Sequence, residues 1–220
     1  AINRFRDFSR KVSKNNTKTC WVLKCDIRKF FANIDHNILK KILSKGIFDK
    51  NILWLFSRVI DSFHTPVNTN NSAIAENLAK GLPLGNLTSQ LLVYIYMNEF
   101  DQFMKRELKV KYYIRYADDF VILSEDKSYL THLRHGVDVF LKERLKLQLH
   151  PDKVFIKTLT SGVDFLGWVH FPKHRVLRTT TKRRMFNHLE NSPKIEIMQS
   201  YLGLLKHGDT DKLRREIEDY

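Results

Sequence analysis

The chain is poor in cysteine and contains no long apolar run. Cys20 and Cys25 are too few for a disulfide framework or a cysteine-based zinc site, and we expect both to be small core residues. No stretch approaches the roughly 20 apolar residues of a membrane helix, and the amino terminus lacks the apolar core of a signal peptide. No internal repeat or low-complexity segment is present. These absences predict an intracellular protein that does not bind membranes.

Basic side chains strongly outnumber acidic ones. The 38 lysines and arginines against 24 aspartates and glutamates give a net charge of +14, which predicts a polyanionic partner and, first of all, nucleic acid. With 220 residues, 43% of them hydrophobic, the chain can form one large domain or one domain and part of another. It begins without an initiator methionine and ends in a charged helical pattern, so we expect a fragment of a longer protein.

Hydrophobic periodicity predicts a mixture of strands and helices. Residues 20–27 alternate as a half-buried strand with Asp26 at its end, and Asp35 is placed to cap a helix that ends at Gly46. The other predicted elements are a helix at 52–63, a polar loop or irregular hairpin at 64–77, a helix from 86 to 100, a helix over 130–145, a strand at 153–157, a hairpin at 162–177 and helices from 182 onward. This mixture predicts an α+β protein with an antiparallel sheet and helices on one of its faces.

Two adjacent carboxylates, Asp118 and Asp119, lie in the sequence Tyr-Ala-Asp-Asp at residues 116–119. The flanking residues favour strands, so the segment predicts a tight hairpin with the acids at its turn. Neighbouring carboxylates repel each other unless a cation lies nearby, and Mg²⁺ prefers such oxygen ligands together with substrate phosphates. The alternative is a solvated acidic turn, because Asp is common in turns for its own reasons.

A third carboxylate, Asp26, ends the first predicted strand. If that strand is a neighbour of the acidic hairpin, Asp26, Asp118 and Asp119 converge. A site for two metal ions needs such convergence, since it must hold the ions about 3.5–4 Å apart to stabilise an in-line displacement at phosphorus.

In these segments the chain resembles the reverse transcriptases, and the resemblance covers nearly its whole length. The matching segments are residues 24–31 and 116–119 for the two catalytic palm motifs, 81–90 for the motif that cradles the incoming nucleotide and template base, 147–157 for the element after the hairpin, 163–168 for the primer grip and 200–207 for the start of the thumb. The resemblance implies a right-hand polymerase fold. Its implied parts are a remnant of the fingers at 1–19, a palm at 20–177 with inserted fingers-side helices and a loop at about 37–80, and the start of a helical thumb at 178–220.

The resemblance also implies an RNA-directed DNA polymerase that uses two Mg²⁺ ions, with Mn²⁺ as a substitute. Asp26 and Asp118 would be the ligands shared by both ions, and Asp119 would contribute more weakly. Ile27 would lie at the metal and nucleotide sites. Lys153 corresponds to the lysine that protonates departing pyrophosphate, or it is a solvated lysine at a strand edge.

The nucleotide-binding residues are also implied by the resemblance. Phe31 corresponds to a steric gate that would clash with a ribose 2′-hydroxyl, or it is an ordinary core aromatic, while Phe30 would face the core. Gly85 would let the backbone approach a base pair closely, and it also suits the turn before a helix. Ser89 and Gln90 belong to the same site, where Gln90 either loosens template reading or packs within the helix.

Leu84 and Gln90 distinguish subfamilies of these enzymes. Leu-Gly-x-x-x-Ser-Gln at residues 84–90 is similar to the form in reverse transcriptases of diversity-generating retroelements, a family that copies template RNA with errors at adenines. The alternatives are a group II intron-like or host-defence reverse transcriptase, or a polymerase-derived nucleic-acid binding scaffold without catalysis.

The implied partners are template RNA, a primer or cDNA strand, deoxynucleoside triphosphates and a basic accessory protein of the retroelement. The implied location is the cytoplasm of a bacterial, archaeal or phage-infected cell. We expect Arg115 and the amino-terminal arginines to contact phosphates, and Trp168 to be a core residue. The nine histidines show no metal-ligand spacing.

Overall fold

A computed structural model describes residues 1–63, 80–192 and 194–218, so the predicted loop at 64–77 lies outside the described residues. The helices are α1 (Ile2–Val12), α2 (His36–Gly46), α3 (Lys50–Asp61), α4 (Leu87–Gln102), α5 (Lys127–Leu145), α6 (Thr179–Asn191), α7 (Ile195–Leu205) and α8 (Asp211–Glu218). The strands are β1 (Trp21–Asp26), β2 (Tyr113–Tyr116), β3 (Asp119–Ser124), β4 (Phe155–Thr158), β5 (Val163–Phe165), β6 (Trp168–His170) and β7 (Arg175–Leu177). None of the helices in the described ranges combines the length and hydrophobicity needed to cross a bilayer.

The strands form two sheets. The first has the order β2-β3-β1-β4, and its β2–β3 hairpin is antiparallel, from Tyr113 opposite Ile122 to Tyr116 opposite Asp119. The second is an antiparallel meander in the order β5-β6-β7, so the predicted hairpin at 162–177 has one strand more than expected. In the first sheet β1 is therefore a neighbour of β3, as convergence of the three carboxylates requires.

The chain divides into two compact units. We call Lys24–Ile122 with Ser128–Phe155 the motif unit, and Ala1–Leu23 with Leu123–Lys127 and Ile156–Tyr220 the terminal unit. All the predicted catalytic and nucleotide-binding residues belong to the motif unit. The functional division at 1–19, 20–177 and 178–220 stays a prediction, because compactness does not identify fingers, palm or thumb.

Strand β1 is more deeply buried than its alternating sequence predicts. Residues 22–25 are all buried, and Lys24 is 8% exposed, so the expectation of a half-buried strand was wrong. A strand between two others is covered more fully than an edge strand, and the Lys24 ammonium forms an ion pair in the interior. Cys25 is buried as predicted, and burial raises the pKa of its thiol to about 12.

Side-chain caps set the starts of α2 and α3. Asp35 accepts a hydrogen bond from the Ile38 amide at 3.1 Å, which confirms the predicted cap, and α2 ends at Gly46. Asp49 accepts hydrogen bonds from two amides in the first turn of α3, so this helix begins two residues earlier than its apolar pattern predicts.

The terminal unit has its own hydrophobic core around Trp168. The indole is fully buried, as predicted, and packs with residues of α6, α7 and α8 that include Met185, Leu189, Leu205 and Ile217. The C-terminal helices therefore bury a shared apolar core with the meander, which explains why residues 156–220 belong to one unit.

Candidate functional site

The hairpin that carries Asp118 is held by an ion pair between buried Arg115 and half-buried Asp101. Arg115 donates from Nε to Asp101 Oδ1 at 2.9 Å, and Tyr113 donates its hydroxyl to the same oxygen at 2.7 Å. Arg115 also donates from Nη1 to the carbonyl oxygen of Ala117 at 3.0 Å, and Ala117 has a left-handed φ of 51°. The Arg115 side chain is only 7% exposed, so the prediction that it contacts phosphate was wrong: it stabilises a strained turn instead.

Backbone hydrogen bonds join the end of β1 to this turn. The Ile27 amide donates to the carbonyl oxygen of Asp118 at 3.2 Å, and the His150 amide donates to that of Asp26 at 2.8 Å. Ile27 also forms an isolated bridge with Leu149. The backbone therefore brings the residue after Asp26 directly against Asp118, although the two acids are distant in sequence.

Asp119 points to a lysine rather than to solvent. Its buried Oδ1 lies 3.0 Å from Lys24 Nζ and forms an ion pair with that ammonium group. Burial raises the pKa of the Asp119 carboxyl, Lys24 lowers it, and the nearby Asp26 and Asp118 raise it further. The site thus holds negative charge at an energetic cost.

Asp118 is influenced by Asp26 and by two lysines. Burial raises the pKa of the Asp118 carboxyl, and repulsion from Asp26 adds to this effect, whereas Lys153 and Lys24 oppose it. Lys153 Nζ lies 3.3 and 3.4 Å from the two carboxylate oxygens of Asp26. Lys153 lies two residues before β4, and its side chain is 54% exposed although it pairs with Asp26, so the alternative of a solvated lysine agrees with its exposure.

The donor chemistry of these residues fits hard divalent cations. Asp26, Asp118 and Asp119 supply carboxylate oxygens, and the pKa values of Asp118 and Asp119 are raised by burial and by repulsion among these acids, so a bound cation would offset both effects. In the described ranges no three Asp, Glu, His or Cys side chains are grouped closely enough to form a metal site by themselves. Lys24 and Lys153 provide the compensating positive charge in this arrangement.

The segment after β1 holds the loop that precedes α4. The carbonyl oxygen of Phe31 accepts a hydrogen bond from the Leu82 amide at 2.9 Å, and that of Ile34 accepts one from Gly81 at 2.9 Å. Buried His36 donates from Nε2 to the Gly81 carbonyl oxygen at 2.7 Å. Backbone bonds therefore place the candidate steric gate and the predicted nucleotide loop side by side.

The two adjacent phenylalanines differ in exposure. Phe30 is buried at 3% exposure, as predicted, whereas Phe31 is half-buried, and their rings meet edge to face at 5.5 Å. The Phe31 ring is thus partly accessible to a ligand, unlike an ordinary core aromatic.

The predicted nucleotide residues on α4 and the turn before it fall into two groups. Gly85 has φ of +91°, which requires glycine, while a Cβ there would meet no atom within 4 Å, so the backbone face is open. Ser89 is buried, but Gln90 is exposed, which argues against Gln90 as a helix-packing residue. Gln90 and Gly85 are therefore accessible to a ligand.

Sequence reasoning missed Lys24, His36 and Asp101. Lys24 carried a signal, because a lysine within a buried strand needs an acidic partner. Asp101 and His36 carried none, since a polar residue on a helix is ordinarily solvated and only the tertiary fold supplies the partners Arg115 and Gly81.

Comparisons of the sequence with known proteins agree with this arrangement. A family model described as reverse transcriptase (RNA-dependent DNA polymerase) matches residues 2–170. Protein YkfC of Escherichia coli is 28% identical over 76% of this chain and 49% of that protein. The putative COX1/OXI3 intron 2 protein of Saccharomyces cerevisiae is 22% identical over 89% of this chain and 30% of that protein. The group II intron-encoded protein LtrA of Lactococcus lactis is 25% identical over 74% of this chain and 36% of that protein. The chain spans less than half the length of these relatives.

Solved structures with a similar fold include telomerases. Apo telomerase from Candida tropicalis, truncated from its C-terminal domain, superposes with a TM-score of 0.58 at 14% identity, over 80% of this chain and 39% of that one. Telomerase from Candida albicans in complex with a fragment of telomeric RNA superposes with a TM-score of 0.58 at 13% identity, over 87% of this chain and 39% of that one. At this identity the likeness shows the fold alone, and it confirms the predicted right-hand polymerase architecture.

Proposed function

Because the chain belongs to the reverse transcriptase family, we propose that it is the catalytic part of an RNA-directed DNA polymerase that extends a primer on template RNA with deoxynucleoside triphosphates. The observation that carries the proposal is the backbone hydrogen bond from the Ile27 amide to the Asp118 carbonyl oxygen, which joins the end of β1 to the turn of the acidic hairpin. The raised carboxyl pKa values of Asp118 and Asp119 support it, because they arise mainly from burial and also from repulsion between neighbouring acids, and a bound cation would offset both.

Asp26, Asp118 and Asp119 would hold two Mg²⁺ or Mn²⁺ ions, with the Ile27 backbone beside them. When bound, such ions offset the charge of the phosphates and ease deprotonation of the attacking hydroxyl. Lys24 limits repulsion at Asp119, and Lys153 carries protons at Nζ near Asp26 that it would donate to the departing pyrophosphate. Positioning and charge compensation then supply most of the catalysis.

We expect Phe31→Ala to relax discrimination against ribonucleotides. Removing the half-buried ring would leave space for a 2′-hydroxyl, so the preference for deoxynucleotides should fall by roughly a hundredfold. Single-nucleotide incorporation on an RNA template, with kcat/KM measured for dNTP and rNTP, checks this.

Phe30→Ala is the matched control for the gate. Its ring is buried, so this change should destabilise the fold by about 3–5 kcal/mol and leave sugar discrimination unchanged. A Phe31→Ala enzyme that still rejects ribonucleotides as strongly as the wild type would show that Phe31 is a packing residue.

For the biological role we propose error-prone cDNA synthesis in a diversity-generating retroelement, with a basic accessory protein as partner. Leu84 and Gln90 in the nucleotide motif support this role, and exposure of both side chains leaves them free to contact template or nucleotide. The second candidate is a group II intron-like enzyme, which is favoured by the intron-encoded names of two relatives.

Gln90→Ala separates these roles. In the retroelement role the wild type misincorporates opposite template adenines, and Gln90→Ala should lower that error frequency roughly tenfold, the effect of about 1.4 kcal/mol of lost discrimination. Alanine is chosen because it keeps the hydrogen bond from the amide of residue 90 to the Asn86 carbonyl oxygen, which a proline substitution would remove. Sequencing of cDNA made on one RNA template measures the errors, and a wild type without adenine bias would favour the intron-like role.

A further inference from the structure

The terminal unit contains a cavity of about 370 Å³ that the proposed catalytic chemistry does not use. It is bordered by α1, by the turn between β6 and β7, and by the turn between α7 and α8. The volume lies within the range of small-ligand sites, and it is large enough for a nucleotide unit.

Positive charge dominates the wall of this cavity. Arg6, Lys173, Arg175 and Lys206 line it, and Asp209 is the single carboxylate among the lining residues. Arg6, Lys173 and Lys206 are exposed, and none of them forms an ion pair within the described part of the chain. Four cationic side chains beside a single carboxylate leave this cavity with an excess of positive charge, which favours an anionic ligand.

Arg175 is fixed by neutral partners only. It donates from Nη2 to Asn3 Oδ1 at 3.1 Å and from Nε to the His207 carbonyl oxygen, while Nη1 is buried without a hydrogen-bond partner. Burial lowers the pKa of its guanidinium, and repulsion from Arg6 lowers it further. An anion beside Arg175 and Arg6 would relieve that repulsion.

The same cavity carries an aromatic platform. The rings of Phe171 and His174 are stacked with centroids 4.9 Å apart and an interplanar angle of 17°. The Phe171 amide donates to the His174 carbonyl oxygen at 2.9 Å, which closes the turn between β6 and β7 and fixes the two residues. His174 is exposed, so one end of the stack is accessible to a base.

We propose that this cavity binds a segment of single-stranded RNA, with phosphates on Arg6, Lys173 and Lys206 and a base stacked on the Phe171–His174 platform. A cationic wall beside an aromatic platform is the combination that binds single strands without sequence preference. The inference rests on the proposed function only for the choice of RNA as the strand.

Lys173→Ala with Lys206→Ala tests the phosphate contacts. Fluorescence anisotropy of labelled single-stranded RNA, titrated with the full chain over a series of salt concentrations, should show roughly tenfold weaker binding. The slope of log K against log salt should fall by about 1.4, or about 0.7 for each lost contact. Lys173→Arg with Lys206→Arg keeps the charges and should restore both values.

Lys194→Ala with Lys212→Ala is the matched control. Both lysines are exposed residues of the terminal unit outside the cavity, and their loss changes the net charge equally. Equal weakening by the control and cavity pairs, or no weakening by either, overturns the proposal.

His174→Ala tests the platform. It should weaken RNA binding by about five- to tenfold, whereas His174→Tyr should retain it.

Calorimetric titration with inorganic phosphate distinguishes RNA from a small anion as the ligand of the cavity. If Lys173→Ala with Lys206→Ala abolishes phosphate binding but leaves RNA affinity unchanged, the cavity is a small-anion site and the proposal is overturned. Primer extension by the unmodified chain distinguishes failure of the cavity proposal from failure of the proposed polymerase function. If the unmodified chain extends primers and the cavity variants bind RNA normally, the cavity proposal alone is disproved.

Discussion

Asp118→Asn lowers the rate of primer extension about a thousandfold or more and leaves RNA affinity unchanged. The substitution keeps the shape of the side chain and removes one negative charge from the candidate cation site. Loss of about 4 kcal/mol of charge stabilisation in the transition state corresponds to that factor. Extension of a labelled primer on template RNA with Mg²⁺ gives the rate, and anisotropy gives the affinity.

The turn itself should survive Asp118→Asn, because its contacts are made by the backbone. The Asp118 carbonyl oxygen accepts from Ile27, and Arg115 donates to Ala117. Asp138→Asn is the matched control, since Asp138 is on α5 and pairs with Lys142 at the surface. An Asp118→Asn chain that extends primers as fast as the wild type would falsify the catalytic assignment.

Asp101→Asn lowers the free energy of unfolding by about 3 kcal/mol. The change leaves the Arg115 guanidinium, 7% exposed, without a compensating charge, and because Asp101 is 32% exposed the loss should lie at the lower end of the 3–5 kcal/mol typical of a buried ion pair. It also weakens the anchor of the Ala117 turn, so extension should fall as well. Urea unfolding followed by circular dichroism measures the difference.

Asp138→Asn serves again as the control for stability. Asp138 is about as exposed as Asp101, but its partner Lys142 is 53% exposed and can be solvated when the i, i+4 contact is lost, so the loss should be at most about 0.5 kcal/mol. Similar effects of Asp101→Asn and Asp138→Asn would show that the Arg115 pair contributes no more than a surface contact.

The acidic hairpin and its flanking helices could be predicted because their signals are local. Alternating β-prone residues indicate the strands around Asp118, and Asp35 as a cap indicates the start of α2. Motif order then indicated the polymerase fold, which the telomerase structures confirm. The roles of Asp26, Phe31 and Gln90 stay predictions, because their positions are known and their chemistry is untested.

The roles of charged residues were the least predictable part. Arg115 was expected at a phosphate and is buried against Asp101, and Lys24, in a strand that was expected to be half-buried, is buried and paired with Asp119. The reason is physical: whether an ion is solvated or paired depends on partners that are remote in sequence, and no local pattern encodes their distance.

The sequence by itself determined the basic character of this protein, its α+β class and the identity of its acidic motifs, since charge, periodicity and turn chemistry act over a few residues. Only the tertiary structure decided that β1 lies beside β3, that two lysines compensate the acids, and that α1 and two distant turns enclose a cationic cavity. Such arrangements depend on the packing of segments far apart along the chain, where burial and charge pairing are settled jointly.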